Sequence, residues 1–192
     1  MALTREHVVS TAVELLRRYG LADLSMRRLA RELEVQPGAL YWHVASKQEL
    51  LVEVAAALLE EVPSAGSGGS RRAAQAALVD LATAVRRALA PVPDAADVVG
   101  IAYAAERGSV TALGELRGLV ERAGVPAASR DAVTDLLVHH ILGSVALEQN
   151  ERQVAGADPS YVGRDVAEVA TSFATGLDVI VRGMVATKVS SS

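Results

Sequence analysis

The chain of 192 residues contains no cysteine. Disulfides, thiolate metal centres and thiol redox sensing are therefore excluded. Aromatic residues are nearly as scarce, with one Phe, one Trp and four Tyr. Leu, Val and Ala must fill the core, and an apolar content of 51% is ample for that. No apolar run reaches the roughly 18 residues a membrane span requires, because Glu53, Asp178 and Arg182 interrupt the best candidates. The first residues, Met1 to Glu6, lack the pattern of a secretory leader. A cytoplasmic protein with no membrane partner is the expectation. Excess positive charge is missing too, since 19 Lys and Arg face 23 Asp and Glu for a net charge of -4. A generic polyanion binder is thereby excluded, and any affinity for phosphate must come from placement. Strand-like alternation, internal repeats, paired carboxylates, nucleophile–base spacings and phosphate loops are all absent. An enzyme is not expected.

Two of the six aromatics stand side by side in Leu40-Tyr41-Trp42-His43-Val44, just after Val35-Gln36-Pro37-Gly38-Ala39. Leu40 and Val44 are four apart and share one helix face, so they can anchor a short helix while Tyr41, Trp42 and His43 face outward. Ahead of it, Ser25 is placed to cap a helix whose buried face holds Leu29 and Leu33. Pro37 cannot continue that helix but suits the first turn of the next. The segment therefore reads as helix, tight turn and second helix, a helix-turn-helix whose second helix enters the major groove of DNA. Ser46-Lys47-Gln48-Glu49 matches a capping box and starts a helix through Leu50, Leu51, Val54 and Leu58 to about Val62. An earlier helix spans Thr4 to Tyr19, with Val8, Val9, Ala12, Leu15 and Leu16 as its apolar stripe and Gly20 as its stop. Residues 1–60 hold seven Lys or Arg against eight Asp or Glu. Arg27, Arg28 and Arg31 cluster before the turn, and Lys47 lies beyond it.

From Leu24 to Leu51 the chain resembles the TetR family of bacterial one-component repressors, and the LYWHV stretch followed by a basic residue and a capped helix is similar to the tetracycline repressors in particular. Ile141 to Gln149 resembles, less fully, a stretch of their regulatory domain. About a third of the chain is covered. The resemblance implies an all-α fold with a three-helix helix-turn-helix domain and a helical ligand-binding and dimerisation domain. It further implies that Arg27 reaches a base, and that Tyr41 and Lys47 hold phosphates while Arg28 adds charge beside them. The alternative for Arg27 is a surface ion pair with Glu32 or Glu34. Gln36, Gly38 and Ala39 form the entry of the recognition helix, with Trp42 and His43 near the sugar-phosphate edge or thymine methyls. Pro37, Gly38 and Ala39 stand where those repressors have glutamine, proline and threonine, so a different operator is expected.

The tract Pro63 to Ser70 reads as a flexible connection. It divides residues 1–62, a DNA-binding domain with its connecting helix 46–62, from residues 70–192, a regulatory and dimerisation domain. Helices are expected at 71–90, 95–107, 109–123, 129–152 and 161–187, with Ser129 as a cap and Ala155 to Ser160 as a break. The resemblance implies that the last two helices pair with those of a second copy, giving a two-fold homodimer that reads a pseudo-palindromic double-stranded operator. Leu136, Leu137, Ile141, Gly143, Ser144 and Val145 form one such surface, and Ala170, Phe173, Ala174, Leu177, Ile180, Val181 and Met184 the other. His139 and His140 are about 100° apart on a helix and cannot both face one ion, so no metal or other cofactor is expected. No counterpart of the tetracycline repressors' metal-binding histidine is found, and Leu147 stands where an acidic residue would be needed. The expected effector is a small, mostly apolar molecule held between helices within residues 80–150, with Tyr103, Glu106, Arg107 and His139 as candidate contacts. A repressor released by this effector is the leading reading. An activator, or an effector-binding module on the same fold, is the alternative.

Overall fold

The structure is a computed structural model that describes residues 3–66 and 69–186. Residues 67 and 68 of the expected connection, and residue 187 at the expected end of the last helix, lie outside the described residues. All the regular elements described are helical: α1 Arg5–Tyr19, α2 Met26–Glu32, α3 Pro37–Leu40, α4 Lys47–Leu58, α5 Arg71–Leu89, α6 Ala95–Ala105, α7 Thr111–Arg122, a 3₁₀ turn Ala127–Ser129, α8 Arg130–Ala157 and α9 Val166–Ala186.

Local chemistry accounts for most of the boundaries. The Thr4 hydroxyl accepts the His7 amide at 3.1 Å and starts α1. At its other end Gly20, with φ of 76°, donates to the Leu16 carbonyl at 2.9 Å. Ser25 caps α2 through the Arg28 amide, and Ser46 caps α4 through the Glu49 amide at 3.0 Å. The Glu49 carboxylate reaches one residue further back than a standard capping box, to the Ala45 amide at 2.7 Å.

Several expected ends move. The helix from Ser46 stops at Leu58 rather than Val62, because the chain tightens through Leu59 to Ala56 and Val62 to Leu59 hydrogen bonds of 3.1 Å. Ser129 caps nothing, since the 3₁₀ turn leads directly into α8. The stretch from Ala155 is no break. α8 continues to Ala157 and ends at Asp158, which the following Pro159 drives into extended backbone and whose carboxylate accepts the Ser160 amide and hydroxyl. α9 begins at Val166 rather than 161. Asp165 and Glu168 accept each other's backbone amides at 2.7 and 3.0 Å, a capping box of the Asp-x-x-Glu kind.

The connection from Pro63 is also less free than its composition suggests. Glu115 of α7 accepts from the Ser64 hydroxyl and the Ala65 amide, both at 2.5 Å. The boundary there separates elements but not cores. Buried apolar side chains form one cluster from Val8 to Met184, and α4 packs broadly on α6. α8 and α9 close the far side, where Leu137, Ile141, Val145, Phe173, Leu177 and Met184 are buried within the chain itself. These six therefore hold α8 and α9 onto their own chain rather than lying free for a partner. The exposed apolar stripe of α8 is instead Leu136, Gly143, Leu147 and Val154, spaced by seven, four and seven.

A candidate nucleic-acid interface

α2 ends where Glu34 takes the left-handed conformation, φ of 54°, in a position that usually falls to glycine. The Val35 amide then returns to the Ala30 carbonyl at 2.9 Å. Gln36 is extended and Pro37 opens α3, where its missing amide costs nothing. α3 is a single turn. Tyr41, Trp42 and His43 lie just beyond it rather than within it, although the His43 and Val44 amides both still reach the Leu40 carbonyl at 2.9 Å. Leu40 and Val44 have no exposed surface, whereas Tyr41 is 51% and Trp42 90% exposed and His43 is half-buried. Two fully buried anchors thus hold Trp42 almost wholly and Tyr41 by half in water, where the exposed apolar area gains nothing from folding.

Arg5, which no sequence motif singles out, fixes this turn. Its guanidinium donates to the His43 carbonyl at 3.0 Å and to Glu49 and Glu53 at 2.7 Å each. Hydrogen bonds to Glu53 first and Glu49 second raise its pKa further. Glu49 moves the other way, lowered chiefly by the Ala45 amide and then by Arg5. The one signal in the sequence is that Glu49 and Glu53, four apart, share one face of α4, which calls for a cation opposite. A carboxyl with a depressed folded-state pKa stabilises the fold above its unfolded value of 4.5 and loses that contribution as pH falls below it. Glu49→Gln should accordingly flatten the acid limb of a stability-versus-pH curve between about pH 5 and 3. An unchanged acid limb would show that the clamp carries no pH dependence.

The basic residues differ in how committed they are. Arg27, Arg31 and Lys47 are exposed and make no ion pair among the described residues, so Arg27 pairs with neither Glu32 nor Glu34. Glu32 faces Arg18 instead, at 3.7 Å. Arg28 is engaged within the fold, paired with Asp23 and lying 3.9 Å over the Tyr19 ring. Gln36 and Gly38 are exposed and Ala39 half-buried along α3.

A second join ties this unit to the rest. Asp94, the residue before α6, sits in the left-handed region with φ of 55°, and its Oδ2 accepts the Leu21 amide at 2.7 Å. A Cβ at position 20 would lie 2.6 Å from that oxygen, so only glycine fits there. Asp94→Ala should cost about 2 kcal/mol, the loss of a hydrogen bond to a charged group with the left-handed backbone retained. Urea unfolding at fixed protein concentration measures it, and a change below about 0.5 kcal/mol would mean water replaces the carboxylate.

Two of the four effector candidates meet on one carboxylate. The Tyr103 hydroxyl donates to Asp135 at 2.8 Å, and Arg107 pairs with the same carboxylate at 3.1 Å. Burial, and then the Asp135 hydrogen bond, push the Tyr103 phenol up to about 12. Glu106 and His139 are exposed, and Glu106 and Arg107 fall beyond the end of α6, which stops at Ala105. None of the four lines the groove of about 950 Å³ between α1, α4 and α7. His140 diverges from His139 as expected, stacking on Phe173 at 5.0 Å with Nε2 3.0 Å from the Phe173 carbonyl. Gly176 makes room for that ring, since a Cβ there would lie 2.5 Å from Cε1.

Residues 8–54 match the family model described as bacterial regulatory proteins, tetR family. A 161-residue alignment with the class D tetracycline repressor protein of Escherichia coli is 34% identical, covering 81% of this chain and 71% of the repressor. The chain belongs to the tetR family of bacterial regulatory proteins. This TetR-family chain is a DNA-binding regulator rather than a member of an enzyme family. A 49-residue match to a helix-turn-helix-type transcriptional regulator of Saccharopolyspora erythraea is 51% identical but spans only 21% of that protein. Likeness over the whole fold is carried by BioQ of Mycobacterium smegmatis, with 34% identity, a TM-score of 0.83, and coverage of 96% of this TetR-family chain and 99% of BioQ. A structure of BioQ with its double-stranded DNA operator aligns at a TM-score of 0.78 and 33% identity, over 95% of this chain and 98% of BioQ.

Proposed function

We propose that the chain is a homodimeric repressor that binds a pseudo-palindromic operator through Arg27, Gln36, Gly38, Ala39, Tyr41, Trp42, His43 and Lys47, with Arg28 adding charge behind them, and that a small, mostly apolar effector releases it. The observation that carries the reading is the turn after α3, where Tyr41 and Trp42 are held in solvent by buried Leu40 and Val44 beside the exposed cations Arg27 and Lys47. BioQ, which shares the fold, is seen with its double-stranded operator. In this reading Tyr41 and Lys47 hold phosphates, Arg27 reads a base and Gly38 lets the backbone approach closely. Arg28 supports the surface from behind through Asp23 and Tyr19.

Residues 1–62 act as the DNA-binding domain and residues 70–192 as the regulatory and dimerisation domain. Dimerisation uses the outward faces of α8 and α9, where Leu136 is 50% and Leu147 52% exposed. Leu136→Glu should shift the protein to monomers by sedimentation; an unchanged dimer would place the interface elsewhere. The effector sits among the regulatory helices, and its binding tilts α4 through α6. A hundredfold loss of operator affinity requires about 2.7 kcal/mol of differential binding.

Selection of bound fragments from a random double-stranded DNA library tests the reading. Enrichment of a pseudo-palindrome, lost with Arg27→Ala and with Tyr41→Ala, is expected. No enrichment at low salt would refute operator binding, and transcription from the selected sites with and without the protein separates repression from activation.

A further inference from the structure

The groove between α1, α4 and α7 is lined by none of the four residues expected to contact the effector, and its walls come from both units of the fold. Its floor is apolar, with Val9, Leu59 and Val110 buried along it. Its polar side chains are mostly of one sign. Glu6, Glu53, Glu60 and Glu115 face it, and Arg5 is the one cation among the described residues of its lining. That guanidinium is already held by the His43 carbonyl, Glu49 and Glu53. Glu115 is held in place by Ser64 and Ala65. Glu6 and Glu60 are exposed and make no ion pair among the described residues. An apolar floor below uncompensated carboxylates complements a cation with a bulky hydrocarbon body, since the body removes apolar surface from water while the charge stays near the rim.

We propose that this groove binds amphiphilic organic cations, with Glu6 and Glu60 as the carboxylates that select for charge. A molecule seated there touches α1 and α4 on one side and α7 on the other. The proposal concerns a site of its own and does not depend on operator binding, so it is tested without DNA.

Calorimetric titration of the full-length protein with tetraphenylphosphonium, and separately with tetraphenylborate, compares a cation and an anion of nearly the same size and shape. One tetraphenylphosphonium per chain should bind, at least about tenfold more tightly than the borate. The Glu6→Gln, Glu60→Gln double variant should lose about tenfold in phosphonium affinity and leave the borate little changed. Far-UV circular dichroism of the variant confirms that it is folded, and both substitutions lie at exposed positions. Absence of phosphonium binding, equal affinity for the two ions, or an unaltered affinity in the double variant would each overturn the proposal.

Discussion

Glu148→Ala should lower the unfolding free energy by about 3 kcal/mol, because it strands a charge inside the fold. Arg86 of α5 is only 8% exposed, pairs with Glu148 of α8 at 2.8 Å and lies 5.4 Å from the centre of the Phe173 ring of α9. Its Nε is buried with no hydrogen-bond partner among the described residues, so the guanidinium depends heavily on this one carboxylate. The pair itself contributes little net stability, since the desolvation of two ions offsets most of their attraction. Arg86→Met with Glu148→Leu should therefore be far less destabilising than Glu148→Ala alone. Denaturant unfolding at one protein concentration, with the slope compared between variants, reads both effects. Equal losses in the single and double variants would show that the site matters through packing against Phe173. A loss under about 0.5 kcal/mol in the single variant would show that water reaches the guanidinium and replaces the carboxylate.

Operator binding should separate Arg27 from Lys47 by kind rather than by size. Arg27→Ala is expected to cost about 1–3 kcal/mol and to relax preference at one base pair in each half-site. Lys47→Ala should weaken all sequences alike, and because the proposed dimer would then neutralise two fewer phosphates, the slope of log affinity against log salt should shrink by about 2. Titrations of the selected operator and of its single-base variants at several salt concentrations give both numbers. A uniform loss for Arg27→Ala with a reduced salt slope would reassign that arginine to a phosphate. An unchanged slope for Lys47→Ala would remove it from the interface.

The helix-turn-helix is legible because its determinants are local. Ser25, Pro37 and Ser46 act within four residues of themselves, and each lies where the expected boundary falls. Asp165-x-x-Glu168 is equally local, yet the residues before it are apolar enough to extend a helix on paper, so the expected start of α9 falls too early. The expected end of α8 falls short for the opposite reason. Ala155 and Gly156 suggest a break, but a helix already packed on α5, α6, α7 and α9 carries on through them to Ala157. The commitments of side chains are not legible at all. Nothing near Arg28 in sequence announces the Tyr19 ring nine residues earlier, and nothing near Tyr103 or Arg107 announces Asp135.

By itself the sequence determined an all-α chain of the tetR family and put two aromatics and a set of cations around a short turn, because helix periods, caps and prolines act over a few residues. Tertiary structure alone decided which of those cations are left for a partner, since Arg28 is claimed by the Tyr19 ring once α1 and α2 pack, and it brought in Arg5, which is claimed by Glu49 and Glu53 of α4. It likewise decided that Phe173 and Leu177 hold α9 to its own chain and that Asp94 fastens α6 to the end of α1. Contacts between residues tens of positions apart depend on how the helices stack, and the spacing of residues within each helix does not contain that information.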